Sequence, residues 1–433
     1  MKLVKMSLAA AVLLGASAFA IDNVKVSGDA KLYYMTNDAG DSDLFDKDSS
    51  AADTALRLSV TGDLTKNVSF GVTGYAVSTL GLENNLVSNT WTGAHGLQTG
   101  TGNPFLNSEL GGVQVDDQAW IGEMWVAGTM GKTTAKLGRM ELDTPLAFSE
   151  KWSIVPNTFD AAVLINQDIP DTTLVGAWVG KGNGVNAIGV ATSGAAAINN
   201  STLIGDNVVG LGADFNTFLS DGAYAVAIVN NSFKPLTAQA WYYNVQNVAD
   251  AYWLQADINC QLVKGLTIGA QYADISTKGL LDGAGDSSAY AFKLGYAGVE
   301  NLSVSAAYSK ADDEGTLKVA NVATNNLGGA QSKLYTEAWW NYGYVGAPDA
   351  EAWNLTAEYD IKDVVKVGAY YTNVTDAFSY NSLDKVDMQE ITLSATKSFG
   401  PLDASLVYIS TDADDQNNGS QYNTLQAYLT LNF

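Results

Sequence analysis

The chain has 433 residues, and its 46 acidic side chains outnumber 23 basic ones, which gives a formal net charge of −23. Nucleic acid is not an expected partner, because its phosphates require a basic surface. One cysteine, Cys260, excludes an internal disulfide framework. The single histidine, His95, has no recognisable nucleophile motif near it, so no enzyme is predicted.

Residues 1–20 have the pattern of a secretory signal peptide. Lys2 and Lys5 precede an apolar run, residues 6–19, that ends in the small-residue pattern of a cleavage site. Residues 21–433 are then predicted to form a single exported domain. Beyond the signal peptide, no apolar run approaches the roughly 18 residues that a membrane-spanning helix needs.

Beyond the signal peptide the chain alternates apolar and polar residues in short runs. From Leu425 to Phe433, for example, Leu, Ala, Leu, Leu and Phe fall on one parity and polar residues on the other. A period of two is typical of a strand with one apolar face. Short turns alternate with longer polar connections, as they do between the two ends of outer-membrane barrels. All seven prolines fall in turns, loops or strand starts, as expected if the strands are paired on both sides.

The number of strands follows from the two ends of the chain. Both ends of such a barrel lie on the periplasmic side, which requires an even number of strands. The run Ser232–Leu236 nearly repeats Ser398–Leu402, and reading both as periplasmic turns gives eighteen strands, with sixteen as the alternative. We therefore predict an all-β fold, a transmembrane antiparallel β-barrel. For the last strand alone, the closing strand of a soluble sandwich is the alternative.

The polar parity of several strands places charged side chains toward the lumen. They are Lys25, Asp29, Lys31, Arg57, Asp160, Asp257, Lys293, Glu358, Lys366 and Glu390. Some of them would only hydrate the barrel interior, whereas a subset would line a constriction and set ion preference by fixed charge. Because the signs are mixed, we expect a cation preference to come mostly from acidic loops at the mouth.

Two parts of the chain resemble a known family. The run Gly-Arg-Met-Glu-Leu-Asp-Thr-Pro at 138–145 and the tryptophan- and tyrosine-rich segments 238–243 and 249–255 carry the resemblance. The chain resembles the outer-membrane porin family that groups Campylobacter-type major outer-membrane porins with OprD-like channels, and its whole layout agrees with that family. The resemblance implies an eighteen-stranded barrel, usually trimeric, whose third external loop is folded into the lumen and narrows the pore.

The resemblance also implies candidates for the pore constriction. They are Arg139, Glu141, Asp143, Glu150, Lys151 and Asp160. The chain departs from the basic-residue ladder of carboxylate-specific OprD-like members, since it has few arginines, and this favours a general channel. Leu137 and Arg139 share one face of their strand, so a bulge near Gly138 would re-aim one of them.

No cofactor is predicted, but calcium is an open alternative. Two groups of acids could bind it through carboxylates: Asp41, Asp43, Asp46 and Asp48, or Asp412, Asp414 and Asp415. Neither group has the twelve-residue loop spacing with a closing glutamate that typifies a calcium loop. Solvated, mutually repelling loops are the other interpretation of these residues.

The sequence thus predicts an outer-membrane porin of a Gram-negative bacterium, a passive channel for small hydrophilic solutes and ions, with cations preferred. The expected partners are outer-membrane lipid and lipopolysaccharide, the barrel-assembly machinery that would read the terminal Phe433, and further copies in a homotrimer. The alternative is a structural or adhesive outer-membrane barrel with a plugged lumen.

Overall fold

The computed structural model describes residues 21–78, 80–82, 86–87, 118–151, 154–184, 215–217, 222–324, 329–379 and 384–433. The predicted signal peptide and His95 lie outside the described residues. Among the described residues, no helix is long and apolar enough to cross a membrane.

Eighteen antiparallel strands form one closed sheet, which confirms the predicted barrel. Strand β1 pairs with β2 on one side and with the last strand, β19, on the other. The short strand β8 pairs with the end of β7 and adds to the wall without crossing it. The strands are β1 (Asp22–Asn37), β2 (Ser50–Thr65), β3 (Val68–Ser78), β4 (Gln118–Met130), β5 (Thr133–Met140), β6 (Phe159–Asn166), β7 (Thr172–Gly182), β8 (Asn216–Thr217), β9 (Ala223–Asn230), β10 (Leu236–Val245), β11 (Ala249–Asn259), β12 (Leu266–Thr277), β13 (Ser287–Val299), β14 (Leu302–Ala311), β15 (Glu351–Ile361), β16 (Val365–Phe378), β17 (Lys385–Phe399), β18 (Leu402–Ala413) and β19 (Tyr422–Asn432).

The connections at the two ends of the barrel differ in length. At one end they are turns of two to six residues, such as 66–67 and 260–265, whereas the other end carries most of the long connections, among them 141–158 and 312–350. Asn and Asp residues with positive φ, such as Asn67 at 67°, make several of the short turns, because these side chains tolerate that region. Short 3-10 turns occur at Lys47–Ser49, Gly279–Leu281, Tyr342–Tyr344 and Asn417–Gly419.

The two faces of the wall differ in polarity. Phe292 and Leu294 on β13 are 55% and 54% exposed, whereas Ala291 between Tyr290 and Phe292 is fully buried. Exposed aromatic rings continue this outer face around β10 to β15: Tyr242, Tyr252, Tyr272, Tyr290, Tyr308 and Trp353. A closed wall with an apolar outside and aromatic residues near one rim is the arrangement that suits a lipid bilayer.

Phe433 closes the seam between β19 and β1. Its backbone N–H donates to the Gly28 carbonyl at 3.0 Å, and its carbonyl accepts the Gly28 N–H at 2.8 Å. An added Cβ at Gly28 would come closest to the Arg57 backbone carbonyl oxygen of β2 and within 2.7 Å of the Phe433 ring. Glycine at this position therefore allows the two strands and the ring to fit together.

We expect Gly28→Ala to lower the free energy of unfolding by about 1–3 kcal/mol, because the methyl group would overpack the seam. Urea unfolding of the barrel refolded in lipid vesicles measures this change. Gly128→Ala on β4 is the matched control, since an added Cβ there would meet no atom within 4 Å. Equal stability of the two variants would contradict this account of the seam.

Candidate functional site

The inner wall of the barrel carries charged side chains. Nine predicted lumen residues lie on the parity opposite to the exposed apolar side chains: Lys25, Asp29, Lys31, Arg57, Asp257, Lys293, Glu358, Lys366 and Glu390. Asp29 and Glu390 are buried on this face, because other side chains or loops cover them. The inner wall is therefore charged, but not all of its charges meet open space.

Two of these inner charges, Asp29 and Arg57, form a chain of alternating sign with Glu141 and Lys151. The Arg57 guanidinium contacts Asp29 at 2.6 Å and Glu141 at 3.9 Å. The second Glu141 oxygen, Oε2, pairs with the Lys151 ammonium at 2.6 Å. Because Glu141 and Lys151 belong to the connection 141–158, this chain ties that connection to the wall at β1 and β2.

Apolar packing also joins the connection 141–158 to the inner wall. Ile154 and Val155 are buried against Tyr75 and Trp120, whose rings meet edge to face at 5.6 Å. Leu146 packs against the inward side chains of β10 and β11 on another part of the wall. The connection thus contacts the inner surface of the barrel at both of these regions.

Glu150 joins the connections 141–158 and 312–350. Its side chain is only 2% exposed. One carboxylate oxygen, Oε1, accepts hydrogen bonds from Asn321 Nδ2 at 3.0 Å, Thr324 Oγ1 at 2.6 Å and the Gln331 backbone N–H at 3.1 Å. A buried carboxylate requires several donors to offset its desolvation. Of the predicted constriction residues, Glu150 thus lies between the two connections, not at an open surface.

Glu390 on β17 holds the connection 312–350 against the wall. Its carboxylate accepts three consecutive backbone N–H groups, from Trp339 at 2.8 Å, Trp340 at 3.1 Å and Asn341 at 2.7 Å. The Asn341 side-chain amide donates to the same carboxylate at 2.8 Å. A lumen-facing acid therefore fixes the position of this segment.

Further contacts attach the same connection to β11 and β12. The Tyr335 hydroxyl donates to Asp257 at 2.5 Å, while its backbone N–H donates to Gln271 Oε1 at 3.0 Å. Lys333 pairs with Asp143 at 2.8 Å. The Asp143 side chain nevertheless remains 81% exposed, so among the predicted constriction residues it has an accessible carboxylate.

Contrary to the prediction, Arg139 and Asp160 do not face the lumen. They pair with each other at 2.8 Å, and Arg139 also donates to the Ile121 carbonyl at 2.9 Å. Arg139 shares its face with the exposed Leu137, while Asp160 alternates with buried neighbours on its strand. The Phe215 ring covers the guanidinium on this outer face, 3.3 Å from its central carbon.

Strand β5 has no bulge at Gly138, but the neighbouring strand β4 has one. Strands β4 and β5 stay in register past Gly138. The irregularity lies between β3 and β4, where Thr73 opposes Glu123 and Gly74 opposes Ile121, so that Gly122 is the extra residue. Without a shift in β5, Leu137 and Arg139 keep the same outward face.

The acids considered for calcium have hydrogen-bonding roles in the structure. Asp46 Oδ2 accepts the Asp43 N–H at 3.0 Å, and Asp415 accepts the hydroxyls of Tyr344 and Ser379, both at 2.5 Å. In the part of the chain that the structure describes, no group of three or more His, Cys, Asp or Glu could hold a metal ion. The calcium alternative stays a prediction.

The connection 312–350 is the part of the site that the sequence reasoning missed. The alternation of short turns with longer polar connections predicts only a solvated loop here, yet Leu317, Val319, Leu334 and Val345 are buried with inward wall residues. The signal that could have found it is its concentration of Trp and Tyr at 339–344, which is unusual for a solvated loop.

Together the wall and the two connections define a fold, an eighteen-strand antiparallel barrel with loop segments against its inner face.

No protein-family model and no curated protein matches the sequence. Solved structures of Pseudomonas aeruginosa proteins share the fold. OccK9 (OpdG) has a TM-score of 0.69 at 15% identity, with 95% of this chain and 99% of that chain covered. OpdK with vanillate has a TM-score of 0.69 at 13% identity, with 95% and 98% covered. OccK8 (OprE) has a TM-score of 0.67 at 16% identity, again with 95% and 98% covered.

These likenesses agree, at the level of fold, with the OprD-like part of the resemblance seen in the sequence. The Campylobacter-type part of that resemblance stays a prediction.

We expect Glu150→Ala to detach the two connections from each other, because it removes the acceptor of three buried hydrogen bonds. The loss should be about 2–4 kcal/mol in the free energy of unfolding, given about 1.5–3 kcal/mol for a hydrogen bond to a charged group and incomplete additivity. Limited proteolysis should cleave the connection 312–350 faster in the variant. Glu300→Ala, in an exposed short turn, is the control; equal cleavage of both variants would contradict this role of Glu150.

Proposed function

We propose that the protein is a porin, a passive channel in the outer membrane of a Gram-negative bacterium. The observation that carries the proposal is a closed wall that is apolar outside and lined with charged side chains inside. The same fold in OccK-type channels supports it. A hydrophilic solute inside such a wall avoids the hydrocarbon, so it can cross the membrane down its own gradient.

The channel selects solutes by width and by charge. We place the constriction at the connections 141–158 and 312–350, which contact the inner wall and each other. Glu141, Asp143 and Lys151 are the charged side chains of the first connection that remain partly or largely exposed. They lie opposite a wall that carries Arg57 and Lys31, so a passing ion meets both signs at short range.

Cation preference then depends on the mouth of the channel. The connection 38–49 has five aspartates and one lysine, and the connection 312–350 begins with three consecutive acids at 312–314. Beside the connection 38–49, where the Gly40 N–H donates to Asn417, the connection 414–421 has two aspartates and no basic residue. Clustered charge of one sign raises the local concentration of counter-ions, which here are cations.

Neutralising Glu141 and Asp143 together, as Glu141→Gln with Asp143→Asn, is expected to shift the reversal potential in a KCl gradient toward zero. The reason is that two carboxylates of the constriction no longer attract cations, while Lys151 and Lys333 lose their partners. Reconstitution in a planar bilayer measures the potential.

Asp160→Asn is the control for this experiment. Asp160 is also an acid of the predicted constriction, but the structure places it on the outer face beside Arg139, so its neutralisation should leave the potential unchanged. An unchanged potential in the double variant, or an equal shift in the control, would argue against the assigned constriction.

We also propose that three copies associate through the outer face of β1 to β5. Aromatic side chains cover the outer face of β10 to β15, whereas the outer face of β3 to β5 is dominated by small and aliphatic residues such as Val72, Gly128 and Ala135. Lipid-facing rims favour Tyr and Trp, while small residues allow neighbouring walls to approach closely.

Ala135→Trp is expected to shift the purified protein from trimer to monomer, because a large ring would hold the two walls apart. Native mass spectrometry in detergent measures the oligomeric state. Ala256→Trp, at an outward position of β11 between Ala238 and Ala270, is the matched control and should remain trimeric. A trimer in both variants, or a monomeric wild type, would refute the proposed contact.

The alternative of a plugged adhesive or structural barrel has one observation in its favour. The connection 312–350 packs many buried apolar residues against the inner wall. A folded protein that conducts no ions in a bilayer would favour this alternative over the channel. Contacts with lipopolysaccharide and recognition of Phe433 by assembly machinery remain predictions.

A further inference from the structure

A cavity of about 640 Å³ lies on the inner side of the barrel beneath the connection 312–350. Its roof is the segment 331–340, and its wall is formed by inward residues of β12 to β16. Cavities of 300–1,000 Å³ are the usual size of small-molecule sites. None of the residues of the charged chain Asp29, Arg57, Glu141 and Lys151 lines the cavity, although Tyr428 of β19, the strand next to β1, does.

Aromatic rings form one side of this cavity. Trp339 is 37% exposed, and its ring lies 5.0 Å from that of Tyr370. Tyr335 stands over Gly269, where an added Cβ would come within 2.5 Å of its hydroxyl oxygen. Gly368 leaves space for the Tyr370 ring in the same way. The wall is therefore shaped to hold flat rings, whose negative faces attract polarised C–H groups.

Hydroxyl and amide groups lie next to these rings on the same wall, where Thr356 is the cross-strand partner of Tyr370. The wall residues are Thr267, Ser303, Ser305, Asn354 and Thr356, and all of them line the cavity. Each hydroxyl group can both donate and accept a hydrogen bond. In the side-chain amide, the nitrogen donates and the oxygen accepts. Asn354 already donates to the Glu337 carbonyl and to Thr372 and accepts the Thr356 hydroxyl. A solute with many hydroxyl groups would therefore bond to Thr267, Ser303 and Ser305 and to the acceptor side of the Thr356 hydroxyl.

The charges in and beside the cavity balance one another. Glu358 accepts the Tyr370 hydroxyl at 2.8 Å and pairs with Lys366 at 3.1 Å. Asp257 accepts the Tyr335 hydroxyl, and Lys293 lies 5.8 Å from the centre of the Tyr335 ring. Two lysines thus face two carboxylates, which gives neither a cation nor an anion a net advantage.

Glu337 does not upset this balance near neutral pH. Burial raises the pKa of Glu337 to about 8, and the nearby Glu150 adds to the effect. Its carboxyl Oε1 is buried and has no hydrogen-bond partner among the described residues. A protonated carboxyl adds no charge to the lining.

From the exposed aromatic rings, the hydroxyl-rich wall and the balanced charge, we propose that this cavity is a binding subsite for a neutral saccharide. The apolar C–H face of the sugar ring stacks on Trp339, and its hydroxyls bond to the wall of β14 and β15 and to Glu358. The inference rests on the proposed channel function, in which the subsite holds the sugar beneath the constriction.

Calorimetric titration of maltose into the folded protein tests the proposal. A polyoxyethylene detergent is used, because it carries no sugar headgroup that could compete. The wild type is expected to give a saturable signal, and Trp339→Ala should weaken the affinity about tenfold, the effect of one aromatic contact. Trp339→Tyr, which keeps a ring at this position, should retain most of the affinity and guards against a folding defect in the alanine variant.

Trp125→Ala is the matched control, because Trp125 is an inward tryptophan of β4 that lies outside the cavity, 4.2 Å from the Lys136 ammonium. Its maltose affinity should equal that of the wild type. No saturable maltose signal, equal affinity of wild type and Trp339→Ala, or saturable binding of sodium benzoate in place of maltose would each overturn the subsite. KCl conductance of the same preparations tests the channel separately, so that failure of one inference does not hide the other.

Discussion

Closure of the sheet is the constraint on which the rest of the structure depends. A strand edge within hydrocarbon would leave backbone N–H and C=O groups without partners, at a cost of several kcal/mol each. The reciprocal hydrogen bonds of Gly28 and Phe433, together with the register of β1 and β19, remove that edge. Once the wall is closed, each side chain of a strand points either into the lumen or toward the bilayer. Because successive side chains alternate between the two faces, the register of a strand decides which side chains face the lumen.

Buried carboxylates then determine what lies inside the wall. Glu390 collects consecutive backbone N–H groups of the connection 312–350, and Glu150 joins that connection to 141–158. In each case the carboxylate loses its water and accepts hydrogen bonds from several protein donors. Because those donors must lie in the right directions, the hydrogen bonds fix the position of the connection. The strand pattern assigns charged side chains simply to the lumen. In the structure, some of these charges hold the connections in place, while others can contact a solute.

The interior is consequently not uniform. At the wall of β1 and β2, Asp29 and Arg57 meet Glu141 of the connection 141–158, so a solute there meets charges of both signs at short range. Across the barrel, the cavity under the connection 312–350 has balanced charge and exposed aromatic surface at Trp339. One lumen thus combines a region suited to ions with a region suited to neutral rings.

The sequence by itself determined the strands, their number and the inward side chains of most of them, because alternation is a local property that each strand displays independently. It could not determine the face of Arg139 and Asp160, because whether an irregularity re-aims them depends on how β5 pairs with its neighbours, and β4, β5 and β6 stay in register there. Nor could it place the connection 312–350, whose position depends on an acid at residue 390 and a partner at residue 150. Only the tertiary structure decided these features, because they arise from contacts between residues far apart in the chain.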